Sequence, residues 1–129
     1  MMLEYELITR AILGTIFALS WASTAGAQGT PQPLVGRWSE DLRWCDQPRG
    51  DEVPDRITTT GIEHFAAACR LSAWRSLGPR AWSAVARCSE EGEQGKAYRR
   101  YTFRLTREAL EFSVSGEPPT RRVRCPKGP

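Results

Sequence analysis

The sequence predicts an all-β domain, a small antiparallel barrel or curved sheet of about 7–8 strands. Three observations carry that expectation. Short runs beyond Leu34 alternate apolar and polar side chains, the period of a half-buried strand. Clusters of Gly, Pro, Asp and Glu separate those runs and read as turns. Four cysteines, Cys45, Cys69, Cys88 and Cys125, are spread over the same stretch, an even number that reads as two disulfides in a small exported domain.

Residues 1–27 come first. Arg10 precedes an apolar run, Ala11 to Leu19, and small residues close with Ala25-Gly26-Ala27. This is the layout of a secretory signal peptide with an A-x-A site, although Glu4 and Glu6 are unusual in its charged start. The apolar run is too short for a membrane-spanning helix, which needs roughly 20 residues. Cleavage after Ala27 leaves about 100 residues, one domain by size, and no transmembrane span. No cysteine follows that site to carry a lipid anchor. Gln28 to Pro33 reads as a flexible lead-in, and residues 34–129 as a single disulfide-stapled β domain.

Leu34 to Trp38 reads as the first strand. Ser39 to Pro54, rich in Asp, Pro and Gly, reads as a long loop carrying Trp44 and Cys45. Arg56 to Thr60 is β-branched and reads as a strand turned by Gly61. Over Glu63 to Leu77, Ala66-Ala67-Ala68 favours helix by propensity, but alternation places Phe65, Ala67, Cys69, Leu71 and Ala73 on one face. Strand is preferred, because Gly78-Pro79 then turns into a partner, Ala81 to Cys88, with Trp82, Ala84, Ala86 and Cys88 on one side. On this reading His64 and Trp74 lie on the opposite, polar face. Ser89 to Lys96 is an acidic, glycine-bearing loop. Tyr98 to Thr106 presents Tyr101, Phe103 and Leu105 inward, with Arg100 and Arg104 outward. Leu110, Phe112 and Val114 alternate next. Thr120 to Cys125 is the last strand, with Val123 and Cys125 inward and Arg122 and Arg124 outward.

Four cysteines allow three pairings. The favoured one is Cys45–Cys69 with Cys88–Cys125, the second tying the final strand to a middle strand. The long spacings and the single histidine, His64, speak against a metal site.

The stretch Gly36-Arg37-Trp38, opening the first strand, resembles the G-x-W start of lipocalins and related calycin barrels. The wider layout resembles small secreted or periplasmic bacterial lipocalin-like proteins of unknown function. In the calycin pattern the Trp lies at the closed end of the barrel and an Arg of the last strand packs over it. The resemblance therefore implies a structural role for Gly36 and Trp38, with Arg122 or Arg124 over Trp38.

Catalysis has few candidates. His64 is the lone imidazole and reads as a surface residue, and no nucleophile-elbow, zinc-protease or P-loop motif is present. The expectation is a monomeric, non-catalytic protein without a cofactor or metal. A small hydrolase with His64 as its best residue is the enzyme alternative. The chain carries a net charge of +3, and of its eighteen cationic side chains only Lys96 and Lys127 are lysines. Arginine pairs bidentately with phosphate and carboxylate, although a codon bias gives the same composition. Arg100, Arg104, Arg122 and Arg124, on neighbouring strand faces, form a candidate positive patch, with Trp74 as a possible contact residue. The expected role is binding an anionic envelope lipid or glycan, or another exported protein, in a periplasmic or secreted setting. Nucleic acid fits the charge but not that setting. The alternatives are a periplasmic inhibitor of a lysozyme or protease, working through the loop Ser39 to Pro54 or Ser89 to Lys96, and a structural or stress protein.

Overall fold

Eight strands close into an antiparallel barrel in the computed structural model, which describes residues 29–90 and 98–127. The signal peptide expected at residues 1–27 and most of the acidic loop lie outside the described residues. Strands β1 (Gly36–Ser39), β2 (Asp55–Ile57), β3 (Gly61–His64), β4 (Ala67–Gly78), β5 (Ala81–Glu90), β6 (Tyr98–Leu105), β7 (Ala109–Val114) and β8 (Thr120–Arg124) follow one another around the ring. Each pairs with its neighbours in sequence, and β1 closes on β8 through Trp38↔Arg124 and Ser39↔Val123. Closure removes the open sheet edges. A short helix, α1 (Arg43–Asp46), interrupts the expected long loop between β1 and β2. No helix among the described residues is long and apolar enough to cross a membrane.

The inward faces of β5, β6 and β7 are those expected from alternation. Ala84, Ala86, Tyr101, Phe103, Leu105, Leu110 and Phe112 are buried, with Trp82, Cys88 and Val114 packed against them. Phe103 lies at the centre, with the rings of Trp74 at 5.4 Å and Phe112 at 5.5 Å. Leu34, on a 3-10 turn at Gln32–Leu34, is fully buried and its carbonyl accepts the Trp38 indole N–H at 2.9 Å. The small ring is thus filled by its own side chains, as barrels of this strand number commonly are.

β4 departs from the expected alternation twice. The run from Glu63 is broken by a turn at Phe65-Ala66, with Ala66 at φ 55°. Gly61 therefore opens β3 instead of ending a strand, and Phe65, expected inward, sits 54% exposed on the turn. Further on, Ala73 adopts φ 51° at a register shift between Ser72 and Arg75. The extra residue of a β-bulge reverses the inward–outward parity of the residues after it. Trp74, expected on the polar face as a contact residue, is consequently buried in the core.

The disulfides are Cys69–Cys88 and Cys45–Cys125, not the favoured Cys45–Cys69 and Cys88–Cys125. Cys69 and Cys88 face each other directly in the β4–β5 register, so neither has to reach across the barrel. Cys125 follows β8 and donates its backbone N–H to the Arg37 carbonyl on β1 at 2.9 Å, which brings it to Cys45 of α1. Two disulfides suit a protein that folds in an oxidising compartment.

Close strand packing at one corner makes a sharp prediction. A Cβ at Gly61 would collide with the backbone carbonyl oxygen of Cys69 on β4 and lie 3.3 Å from the Arg70 Cα. Backbone cannot swing aside as a side-chain tip can. Gly61→Ala is expected to destabilise by about 1–3 kcal/mol, the usual cost of overpacking, read as a lower urea midpoint at unchanged m-value. An unchanged midpoint would show that β3 is free to move away from β4.

Candidate functional site

Two polar regions stand out from this apolar frame, one inside an end of the barrel and one on its outer wall. The first arises where β1, β3, β5 and β7 finish. Register fixes the inward faces there: Asp55 pairs with the buried Trp38, and Arg122 with the buried Leu110. Arg122, outward on the alternation pattern, points inward because a carboxylate receives it. Its Nε donates to Asp55 Oδ2 at 2.9 Å and its Nη1 to Glu40 Oε1 at 2.8 Å. The guanidinium also lies 5.9 Å from the Phe112 ring centroid.

His64 likewise turns inward instead of lying on a polar strand face, because the Phe65-Ala66 turn places it on β3. Its Nδ1 lies 2.8 Å from Asp55 Oδ1 and its Nε2 3.4 Å from the Tyr101 hydroxyl. Tyr101 Oη in turn lies 3.2 Å from Cys69 Sγ and 3.5 Å from Cys88 Sγ. A continuous polar chain thus runs from Glu40 through Arg122, Asp55, His64 and Tyr101 to the disulfide. Burial by itself would raise the Asp55 pKa. The hydrogen bonds and charges of His64 and Arg122 outweigh it and hold this carboxyl below the ordinary aspartate range.

A cavity of about 460 Å³ opens above this chain, lined by Glu40, Trp44, Asp51, Glu52, Asp55, His64, Phe65 and Arg122. Its rim is acidic and aromatic. The imidazole is held on both sides, by Asp55 and by the buried Tyr101. Nε2 therefore faces the protein, where a base serving a substrate in the cavity would face outward.

At the opposite end Arg124, also outward on the alternation pattern, pairs with Trp38 and stacks over its ring at 4.1 Å. Its Nη1 and Nη2 donate to the carbonyls of Val35 and Pro33 at 3.1 and 2.6 Å. This contact explains Gly36, which sits at φ 147° where a Cβ would lie 2.7 Å from Arg124 Nη1. Gly36, Trp38 and Arg124 are thus one structural unit.

The outer wall carries the second region. Arg100 and Arg104 do face outward on β6, but β7 and the barrel wall separate them from Arg122 and Arg124. The expected four-arginine patch does not exist. Other arginines replace the missing pair. Arg70 and Arg87 are direct cross-strand partners on β4 and β5, and Arg87 continues to Tyr98 on β6. The Arg87 guanidinium lies 5.9 Å from the Tyr98 ring centroid, and Tyr98 is 68% exposed. Arg75, opposite Ser83, belongs to the same wall, and Arg100 Nη1 reaches Ser83 Oγ at 3.5 Å. None of Arg70, Arg75, Arg87, Arg100 and Arg104 forms a salt bridge among the described residues. A groove of about 590 Å³, lined by Thr58, Thr60, Glu63, Arg70, Arg87 and Ser89, borders this wall.

No family model, curated protein or solved structure matches the chain.

Sequence reading alone missed Asp55, Glu40, Arg70 and Arg87. The signal for Arg70 and Arg87 was present, since a hairpin about Gly78-Pro79 that aligns Cys69 with Cys88 also aligns those two arginines. For Asp55 and Glu40, at the margins of a long loop, the sequence offers no such pattern.

Proposed function

We propose that this is an exported, non-catalytic binding protein whose arginine wall docks an anionic lipid or glycan of the cell envelope. One observation carries the reading. Five exposed arginines share the outer face of β4–β6 without a salt bridge among the described residues, and two of them are paired directly across strands. Like charges directly opposite each other destabilise a sheet. An anionic partner removes that cost, and guanidinium forks suit phosphate, sulfate and carboxylate groups. The exposed Tyr98 offers a flat face beside Arg87 for a sugar ring or a lipid headgroup. The two disulfides and the leader-like residues 1–27 support a periplasmic or secreted location.

The test replaces Arg70, Arg87, Arg100 and Arg104 together with serine. All four are exposed, so the fold should stand, which circular dichroism checks. The unmodified protein is expected to co-sediment with phosphatidylglycerol vesicles or to bind a sulfated glycan column. The variant should lose most of that binding at low salt, and raising the salt should release the parent protein. Equal retention of both proteins would remove the arginine wall as the site. Retention on the column but not on vesicles would assign the partner to glycans.

A second reading has its own observation. The barrel mouth joins the carboxylates of Glu40, Asp51 and Glu52 to Trp44 and the exposed Phe65. That rim suits a basic protein, as expected for an inhibitor of a cationic exported enzyme such as a lysozyme. Inhibition of lysozyme by the purified domain would favour it over the arginine wall.

A further inference from the structure

We infer that the Cys69–Cys88 disulfide is a thiol-exchange site, with Tyr101 as the group that receives the departing Cys69 thiolate and His64 as its positioning residue. The inference rests on the polar chain at the barrel mouth, not on the arginine wall. A disulfide sulfur is a weak acceptor and gains little from a hydroxyl beside it. Yet Tyr101 Oη is placed 3.2 Å from Cys69 Sγ and 3.5 Å from Cys88 Sγ, inside the hydrophobic core. The other disulfide has no such neighbour. No side-chain donor is hydrogen-bonded to the sulfur of Cys45 or Cys125 among the described residues, and both cysteines are buried.

The proton positions give the arrangement its meaning. With His64 neutral, its Nδ1–H donates to Asp55 and its Nε2 accepts the single Tyr101 proton. The sulfurs then receive nothing. A thiolate on Cys69 changes the balance, because it is a strong acceptor within reach of the same hydroxyl. Tyr101 turns its O–H to the sulfur, and His64, now doubly protonated, donates through Nε2 to Oη and through Nδ1 to Asp55. The negative sulfur is thereby matched by an imidazolium two hydrogen bonds away.

The nucleophile is an external thiolate. Cys88 is half-buried whereas Cys69 is 5% exposed, so attack falls on Cys88 Sγ. A bond forms between the external sulfur and Cys88 Sγ, the Cys69–Cys88 bond breaks, and its electron pair leaves on Cys69 Sγ. A second external thiolate attacks the mixed disulfide at its external sulfur. That releases a symmetrical external disulfide and the Cys88 thiolate. Two thiols are oxidised and one protein disulfide is reduced. Of the two protons released by the thiols, one ends on Cys88 and one on His64. Exchange is faster when the leaving thiol is better stabilised as its thiolate.

The oxidised full chain would be incubated with reduced glutathione, quenched and alkylated at intervals, and mapped cysteine by cysteine by mass spectrometry. Cys69–Cys88 is expected to open at least about tenfold faster than Cys45–Cys125 in the same molecules, with glutathione captured on Cys88. Tyr101→Phe should slow that opening by about tenfold and leave Cys45–Cys125 unchanged. A purely structural Tyr101 would give the opposite sign, since a loosened core admits the thiol more readily. The reduced protein should also show ultraviolet thiolate absorbance at neutral pH, diminished in His64→Gln. If Tyr101→Phe does not fold, His64→Gln carries the same rate test. Equal rates for the two disulfides, capture on Cys69, or unchanged or faster opening in the variants would each overturn the inference.

Discussion

Replacing Cys45 and Cys125 together with serine is expected to destabilise the domain more than replacing Cys69 and Cys88. The first bond spans 80 residues and the second 19. In the chain-entropy model these separations correspond to about 4–5 and about 3 kcal/mol. Native context widens the gap. Cys69 and Cys88 sit within a hairpin whose register is held on both sides of them by backbone pairing, from Ala67↔Glu90 to Ser72↔Val85. Cys45–Cys125 instead supports the junction of β1 and β8, where only two residue pairs are in register. A domain of this size is stable by roughly 5–15 kcal/mol, so the loss is a large share of the whole. Thermal melts should show a fall in Tm of more than about 10 °C for the first double variant, since 1 kcal/mol corresponds to about 4–8 °C at this size. A larger fall for Cys69/Cys88 would mean that the β1–β8 junction is not the weak point of the ring.

Asp55→Ala is expected to cost about 3–5 kcal/mol, the usual penalty for leaving a buried charge without its partner. The variant removes one of the two carboxylates of Arg122, whose side chain is 13% exposed and keeps the half-exposed Glu40 and the Thr120 hydroxyl as partners. It also removes the acceptor that orients His64. The pH dependence comes from the direction of the Asp55 shift. Its folded pKa lies below its unfolded value, so its contribution is fully present above the ordinary aspartate range. It is lost as pH falls from about 4 through the depressed folded value. Urea midpoints measured between pH 7 and pH 2 should therefore drop in that acid window. Asp55→Asn should flatten that part of the profile. A parallel acid drop in both proteins would place the acid-sensitive group elsewhere.

Much of the barrel was legible in the sequence. Where strands are regular, as in β5, β6 and β7, the period-two pattern of Ala84/Ala86, Tyr101/Phe103 and Leu110/Phe112 identifies the inner face. It fails where the chain adds a residue or turns without the residue that normally marks a turn. Ala66 and Ala73 both adopt positive φ without being glycine, and each reassigns its neighbours: Phe65 to the surface, His64 and Trp74 to the interior. It fails again at β8, where polarity misleads. Arg122 and Arg124 occupy inward positions because Asp55 and Trp38, distant in sequence, receive them. The disulfide pairing was open to deduction from the β4–β5 hairpin, whose register sets Cys69 against Cys88. The expected pairing instead gives the last strand a staple to the middle of the sheet, when its actual neighbour is the first strand.

The order of strands around the ring has a kinetic consequence. All pairings except β1 with β8 join segments adjacent in the chain, so each hairpin can form on local contacts with little loop entropy to overcome. The last event is the meeting of the two ends, through a ladder of only two residue pairs. The reverse path begins at the same place. In the oxidised protein Cys45–Cys125 tethers the two ends, so transient opening at Trp38 and Arg124 stays local while the β4–β5 and β5–β6 hairpins persist. Only loss of that bond lets the ring uncurl into a sheet. The barrel is a ribbon with one latch, and the Cys45–Cys125 bond is its bolt.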